Sequence, residues 1–156
     1  MAGRPLRLLV IGKLKHHFTQ EGCALYQTRL ERWRPLEIKE LKDADSALPL
    51  EKRVKQEAER ILRVLTPDQT GIVLDEKGQM LSSKKLAALL EEYDRQAKTP
   101  CFIIGGPYGL DESVRARAKH LLSLSPMTFP HDLARLLLLE QLYRAESIRR
   151  NIPYHH

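Results

Sequence analysis

Only two cysteines, Cys23 and Cys101, occur in 156 residues, so a single disulfide could form but a disulfide framework could not. Cys101 opens an apolar run and Cys23 falls within a helical pattern. Both read as small core residues, and the setting implied is reducing and cytoplasmic. Long apolar runs are also missing. The leucine run Leu136 to Leu139 is far too short to span a bilayer, and Met1-Ala-Gly-Arg-Pro-Leu-Arg holds no apolar stretch ahead of a cleavage site. Neither a membrane anchor nor a leader peptide is expected. No Cys-x-x-Cys occurs, and the adjacent pairs His16-His17 and His155-His156 lack partners at ligand spacing. No metal site is expected. The chain has no P-loop and no Gly-x-Gly-x-x-Gly fingerprint. Without a repeat, a low-complexity tract or a linker, residues 1–156 read as one domain.

What is present is a positive balance. Lysine and arginine number 26 against 20 acidic residues, a formal charge of +6. This favours a polyanionic partner, nucleic acid first among them. Four segments read as buried strands: Leu6 to Ile11, Gly71 to Asp75, Cys101 to Ile104 and His120 to Leu124. The first three are nearly continuous apolar runs, as parallel strands covered on both faces require. Leu36 to Leu41 alternates and reads as an edge strand. Helical spacing marks residues 19 to 33, 50 to 65, 83 to 97 with Ser83 as N-cap, a short helix from Asp111 to about Lys119, and a long one from Asp132 to Arg149. Alternating strands and helices mean an α/β fold with a largely parallel sheet. Thr66-Pro-Asp-Gln and Lys77-Gly78 read as turns, and the loop from Lys42 to Pro49 as a candidate mobile flap.

Ligands of parallel α/β sheets bind beyond the carboxyl ends of strands. Three such ends stand out: Leu74-Asp-Glu-Lys-Gly-Gln, Gly105-Gly-Pro-Tyr-Gly, and Leu124-Ser-Pro-Met-Thr-Phe-Pro-His. The glycine cluster allows close backbone approach, or is simply a tight turn. The last loop is stiffened by two prolines. Its main-chain groups could meet a purine edge, with Met127 and Phe129 as an apolar wall. His131 follows that loop directly, and an imidazole there can relay a proton. The final helix is apolar nearly all round at Leu136 to Leu139, so it must be covered on several sides. A domain this small has few elements to do so, and a homodimer with this helix in the interface is expected, a deep intrachain position being the alternative. Basic residues crowd three regions: Arg4, Arg7, Lys13 and Lys15; Arg29, Arg32 and Arg34; Arg144, Arg149 and Arg150. Each could meet phosphate or form a solvated face.

Taken together, Ile104-Gly-Gly-Pro-Tyr-Gly-Leu, Leu122-Ser-Leu-Ser-Pro-Met-Thr-Phe-Pro-His, Glu140-Gln-Leu-Tyr-Arg-Ala and Pro153-Tyr-His closely resemble the RlmH family. These are the large-subunit rRNA pseudouridine N3-methyltransferases of the SPOUT superfamily. The likeness extends over essentially the whole chain, including Val10-Ile-Gly-Lys-Leu-Lys and Leu74-Asp-Glu-Lys-Gly. It implies a SPOUT fold, with a mostly parallel sheet flanked by helices, a carboxy-terminal trefoil knot and a homodimer. Knots are otherwise nearly absent from proteins.

The resemblance further implies S-adenosylmethionine as cofactor, bound by Leu74, Gly106, Leu124, Ser125, Pro126, Met127, Thr128 and Phe129. It implies His131, Arg135, Tyr154 and His155 as substrate and catalytic residues. The expected reaction is N3 methylation of a pseudouridine in 23S rRNA, position 1915 by family convention, on assembled ribosomes. The extra His156 after the usual Tyr-His ending leaves open which terminal imidazole matters. A ribosome-binding factor that has lost the reaction, or a SPOUT methyltransferase for another RNA site, are the alternatives.

Overall fold

The structure is a computed structural model that describes residues 3–156. Met1 and Ala2, which begin the stretch expected to hold no leader, lie outside the described residues. Five parallel strands form one sheet in the order β2-β1-β4-β3-β5. They are β1 (Leu6–Ile11), β2 (Leu36–Leu41), β3 (Gln69–Met80), β4 (Thr99–Ile104) and β5 (His120–Ser123). Between and after them run α1 (His17–Glu31), α2 (Leu50–Val64), α3 (Ser83–Arg95), α4 (Glu112–Arg117) and α5 (His131–Arg149).

The apolar runs are continuous because both sheet faces are covered. Leu6, Leu8 and Val10 of β1 join Phe102 and Ile72 beneath α1, α3 and α5. The intervening Leu9 and Ile11 join Ile103 and Val73 beneath α2 and α4. β2 is an edge strand pairing only with β1, and its side chains alternate in burial from Leu36 to Lys39 as expected, the alternation ending at the exposed Glu40.

Several boundaries differ from expectation for identifiable reasons. The cap of α3 is Ser82, whose hydroxyl accepts from the Lys85 amide, while the Ser83 hydroxyl donates to Gln141 at 2.6 Å. Asp111 caps α4 as expected, accepting from the Ser113 amide. Pro100 is tolerated inside β4 because β1 pairs with that strand only from Cys101 onward. Lys77-Gly78 is not a strand-ending turn. β3 bows outward and returns, so that Leu122 of β5 faces both Leu74 and Gln79.

The Lys42 to Pro49 loop is strapped to α2. Arg60 donates to the carbonyls of Lys42 and Asp43, Arg53 to that of Leu48, and the Glu57 carboxylate accepts from the Ala44 amide. One side of α5 is covered within its own chain, while Leu136 and Leu137 remain half-buried. The helix lies between α1 and α3, with Leu138, Leu139 and Leu142 fully buried.

The basic clusters also resolve. Arg34 is buried and ion-pairs with Asp94 and Glu146, and Arg149 joins the same pair of carboxylates. Arg7 is bound to the Val64 carbonyl and Gln69. Arg144 bridges to Glu140. Arg34 and Arg149 thus tie α3 to α5, Arg7 ties β1 to the end of α2 and to β3, and Arg144 is held by its own helix. Lys13, Lys15, Arg4 and Arg32 remain exposed. Among the described residues no helix is long and apolar enough to cross a membrane.

Candidate active site

The loops after β3 and β5 lead to helices on one face of the sheet, whereas the loop after β4 leads to α4 on the other. Neighbouring connections that part in this way open a crevice at the carboxyl ends. Here the crevice is a cleft of about 780 Å³, within the range of small-molecule sites. All three segments singled out in the sequence line it.

The first wall is the bow in β3. An added Cβ at Gly78 would lie 2.6 Å from the carbonyl carbon and oxygen of Leu121, so β5 passes against the bow with no room for a side chain. The Ser123 hydroxyl fastens the two, meeting the Glu76 carbonyl at 3.1 Å and the Ser125 carbonyl at 2.9 Å. Thr128 donates to the Glu76 carboxylate. Asp75 accepts from the Lys77 amide at 2.9 Å and from Arg115 of α4 at 2.7 Å. The Lys77 amide first, and then Arg115, hold its carboxyl below the ordinary aspartate value against the opposing effect of burial.

The second wall is a four-residue turn, Gly106-Pro-Tyr-Gly109, closed by the Gly109 amide donating to the Gly106 carbonyl at 3.1 Å. Proline at its second position presets the turn, and Gly109 takes a left-handed φ of +83° that suits glycine. A Cβ on Gly106 would press on Glu57 at 3.1 Å and on Ile11 at 3.4 Å, so the turn is seated directly on the sheet end. The third wall is the Leu124 to Pro130 loop. Its Ser125 hydroxyl accepts from the Met127 amide at 3.0 Å.

Leu74, Gly106, Leu124, Ser125, Met127, Thr128 and Phe129 all line the cleft, and so does His131 at the start of α5. Pro126 sits between two lining residues without lining the cleft itself. Arg135 lies one turn beyond His131, in a small neighbouring recess that His131 and Ile104 also border. It is 8% exposed, donates to Glu40 of β2 at 2.8 Å, and has no partner for its Nε.

Tyr154 and His155 do not line the cleft. The Tyr154 hydroxyl donates to Glu140 at 3.0 Å, its ring packs edge-on against Tyr143, and Arg144 stacks over it. Burial, with Tyr26 and Glu140 beside it, pushes that hydroxyl well above the usual tyrosine range. Arg144 also lies 3.2 Å from His155 Nδ1. Arginine can only donate, so Nδ1 accepts and a neutral ring carries its proton on Nε2. Glu140 is roughly 13 Å along the helix from His131, so one chain does not bring tail and cleft together.

The sequence reading missed Asp75, Glu76, Tyr108 and Arg115 as lining residues. The first three sit inside motifs already singled out. Arg115 carried no signal of its own. Among the described residues no cluster of three or more metal-ligand side chains forms.

A family model described as "Predicted SPOUT methyltransferase" matches residues 5–155. The chain belongs to the SPOUT methyltransferase family. Two full-length relatives carry the name "Ribosomal RNA large subunit methyltransferase H". The protein of Desulfovibrio desulfuricans is 54% identical over 100% of both chains, and that of Lawsonia intracellularis 45% identical over 100% of both. Among solved structures, a putative methylase family protein from Neisseria gonorrhoeae aligns with TM-score 0.55 at 9% identity, covering 99% of this chain and 96% of its own. A probable methyltransferase from Bordetella pertussis aligns with TM-score 0.53 at 12% identity, covering 92% and 94%. At such identities these two speak to fold alone. For a SPOUT methyltransferase, the cleft is where the three carboxyl-end loops converge.

Proposed function

We propose that this SPOUT methyltransferase uses S-adenosylmethionine to methylate N3 of a pseudouridine in 23S rRNA, at the position family convention numbers 1915, on assembled ribosomes in the cytoplasm. The observation that carries this reading is the convergence of all three motif loops on one cleft with His131 at its edge. The names of the relatives supply the substrate class.

The cleft suits the cofactor. The absence of side chains at Gly105 and Gly106 lets their main chain pack tightly on Leu110, Glu57 and Ile11, which fixes this wall of the cleft. Leu74, Leu124 and Phe129 offer apolar surface for an adenine. Main-chain groups of the 124–129 loop offer hydrogen bonds, and Asp75 and Glu76 supply negative charge near a cationic ligand. When bound, S-adenosylmethionine supplies a methyl group already activated by a positively charged sulfur.

The chain's own residues then have three tasks. The walls hold the acceptor in line and exclude water. His131 or His155 takes the N3 proton, which must leave before that nitrogen can act as a nucleophile. To serve as base, His155 must first release the Nδ1 lone pair it offers to Arg144. Arg135 stabilises the negative charge that develops on the pyrimidine, and Tyr154 orients the base.

The separation of tail and cleft within one chain supports a shared site in a homodimer, each tail reaching its partner's cleft. The close passage of β5 beneath the bow of β3 supports the knotted path. Radiolabelled methyl transfer to intact ribosomes from a strain lacking the protein, followed by nucleotide mapping, tests the reading. Label on that N3 is expected. Ribosome binding without transfer would point to a non-catalytic factor, and label elsewhere to another RNA site.

A further inference from the structure

We propose that Tyr108 is a stacking platform for an unpaired rRNA nucleobase at the lip of the cleft, backed by Arg53. This rests on the reading of the chain as an rRNA methyltransferase. Tyr108 lines the cleft yet is 59% exposed. An exposed aromatic ring at the rim of a cleft offers a flat face for stacking, and an unpaired nucleobase brings a matching π-face of its own.

The ring is held in place from below. Its turn is closed by the Gly109 amide and seated on Glu57 and Ile11 through Gly106. Arg53 stands 5.9 Å from the ring centroid, and its guanidinium is fixed by the carbonyls of Leu48 and Ser46. The lip therefore joins one exposed aromatic face to a fixed guanidinium beside it. That combination serves single-stranded nucleic acid, with a ring on which a base can stack and a positive charge close by.

Met127, on the third wall, is the other large apolar side chain of the cleft that is mostly exposed. Tyr108 is thus a substrate-positioning residue, distinct from the groups assigned to proton transfer.

The test compares wild type with Tyr108→Ala, Tyr108→Leu, Tyr108→Phe and Tyr108→Trp, measuring ribosome KM, kcat and S-adenosylmethionine affinity. Stacking predicts about a tenfold rise in ribosome KM for Ala, a similar rise for Leu, and near-normal values for Phe and Trp. Cofactor affinity and kcat at saturation stay within about twofold of wild type across the set. A wild-type ribosome KM in Tyr108→Ala would overturn the proposal, as would rescue by Leu equal to that by Phe. Loss of cofactor affinity in step with ribosome KM would reassign the ring to the cofactor and overturn it too. A wild-type protein inert toward ribosomes would instead remove the functional reading on which the proposal stands.

Discussion

At Gly78 the backbone of Leu121 occupies the space a methyl group would need. The obstacle is main chain on a buried strand, so it cannot swing aside as a flexible side chain would. Gly78→Ala should destabilise the protein by about 1–3 kcal/mol through forced backbone shifts, measurable by urea denaturation. Because the same contact shapes the first wall of the cleft, cofactor affinity should fall as well. Asp75 gives a pH dependence of known sign. Its carboxyl is held below the ordinary value, so its contribution is complete above that value and is lost as the pH falls through the lowered one. Between about pH 5 and pH 3 the melting temperature of wild type should drop more than that of Asp75→Asn. An equal drop would remove Asp75 as a source of acid sensitivity. Burial pushes the Cys101 thiol up to about 12, and raises Cys23 in the same direction. Neither thiol should react with a disulfide reagent near neutral pH until the chain is unfolded.

Helix α5 joins two regions of different character. Its amino end borders the cleft through His131. Its carboxyl half carries Glu146, 1% exposed at the side chain and shared among Arg34, Arg149 and Arg150. Removing Arg34 strips the closest countercharge from a buried carboxylate. Arg34→Met should cost about 3 kcal/mol, near the low end for breaking a buried pair because Arg149 remains. Adding Glu146→Gln should recover part of that loss. A double mutant no more stable than the single one would show that Glu146 is not the source of the cost. The tail beyond α5 is tied to the same helix by Tyr154 and His155, so it needs no disorder to stay in place in one chain. In a shared site those ties are exchanged for others. His155→Ala should therefore lower turnover more than cofactor affinity, and equal turnover in mutant and wild type would remove this imidazole from the reaction.

Across the whole molecule, the separation of cleft and tail makes a clear demand on assembly. Mixed dimers of His131→Ala and His155→Ala subunits contain one site in which an intact cleft meets an intact tail, provided sites are shared between subunits. Where both imidazoles serve the transfer, mixing should raise activity above that of either parent. Dimers no more active than either parent after subunit exchange would mean that each site is built from one chain. The exposed cations that remain after Arg7, Arg34, Arg144 and Arg149 are assigned to ion pairs and helix ties should make ribosome binding weaken as salt rises. Binding indifferent to salt would count against them.

The strands were legible because their burial on both faces removes polar residues from whole runs. The helices were legible because their spacing follows one buried side. The three motif loops could be recognised as ligand-binding candidates because each follows a strand of a parallel sheet. What the residue pattern could not carry was anything dependent on one segment meeting another. Lys77-Gly78 looks like a turn locally and becomes a bow only because β5 must pass against it. Arg34 looks like a surface cation and becomes a buried clamp only because α3 and α5 bring two carboxylates to it. The apolar run of α5 does not say which leucines face inward, and only the packing of α1 and α3 shows Leu138 and Leu139 buried with Leu136 and Leu137 partly open. The elements and the chemistry of the loops follow from the order of residues alone, since these depend on local period and side-chain type. Which charges are buried, which aromatic is left at the cleft and how far the tail lies from it follow from packing, since these are distances between parts remote in the chain.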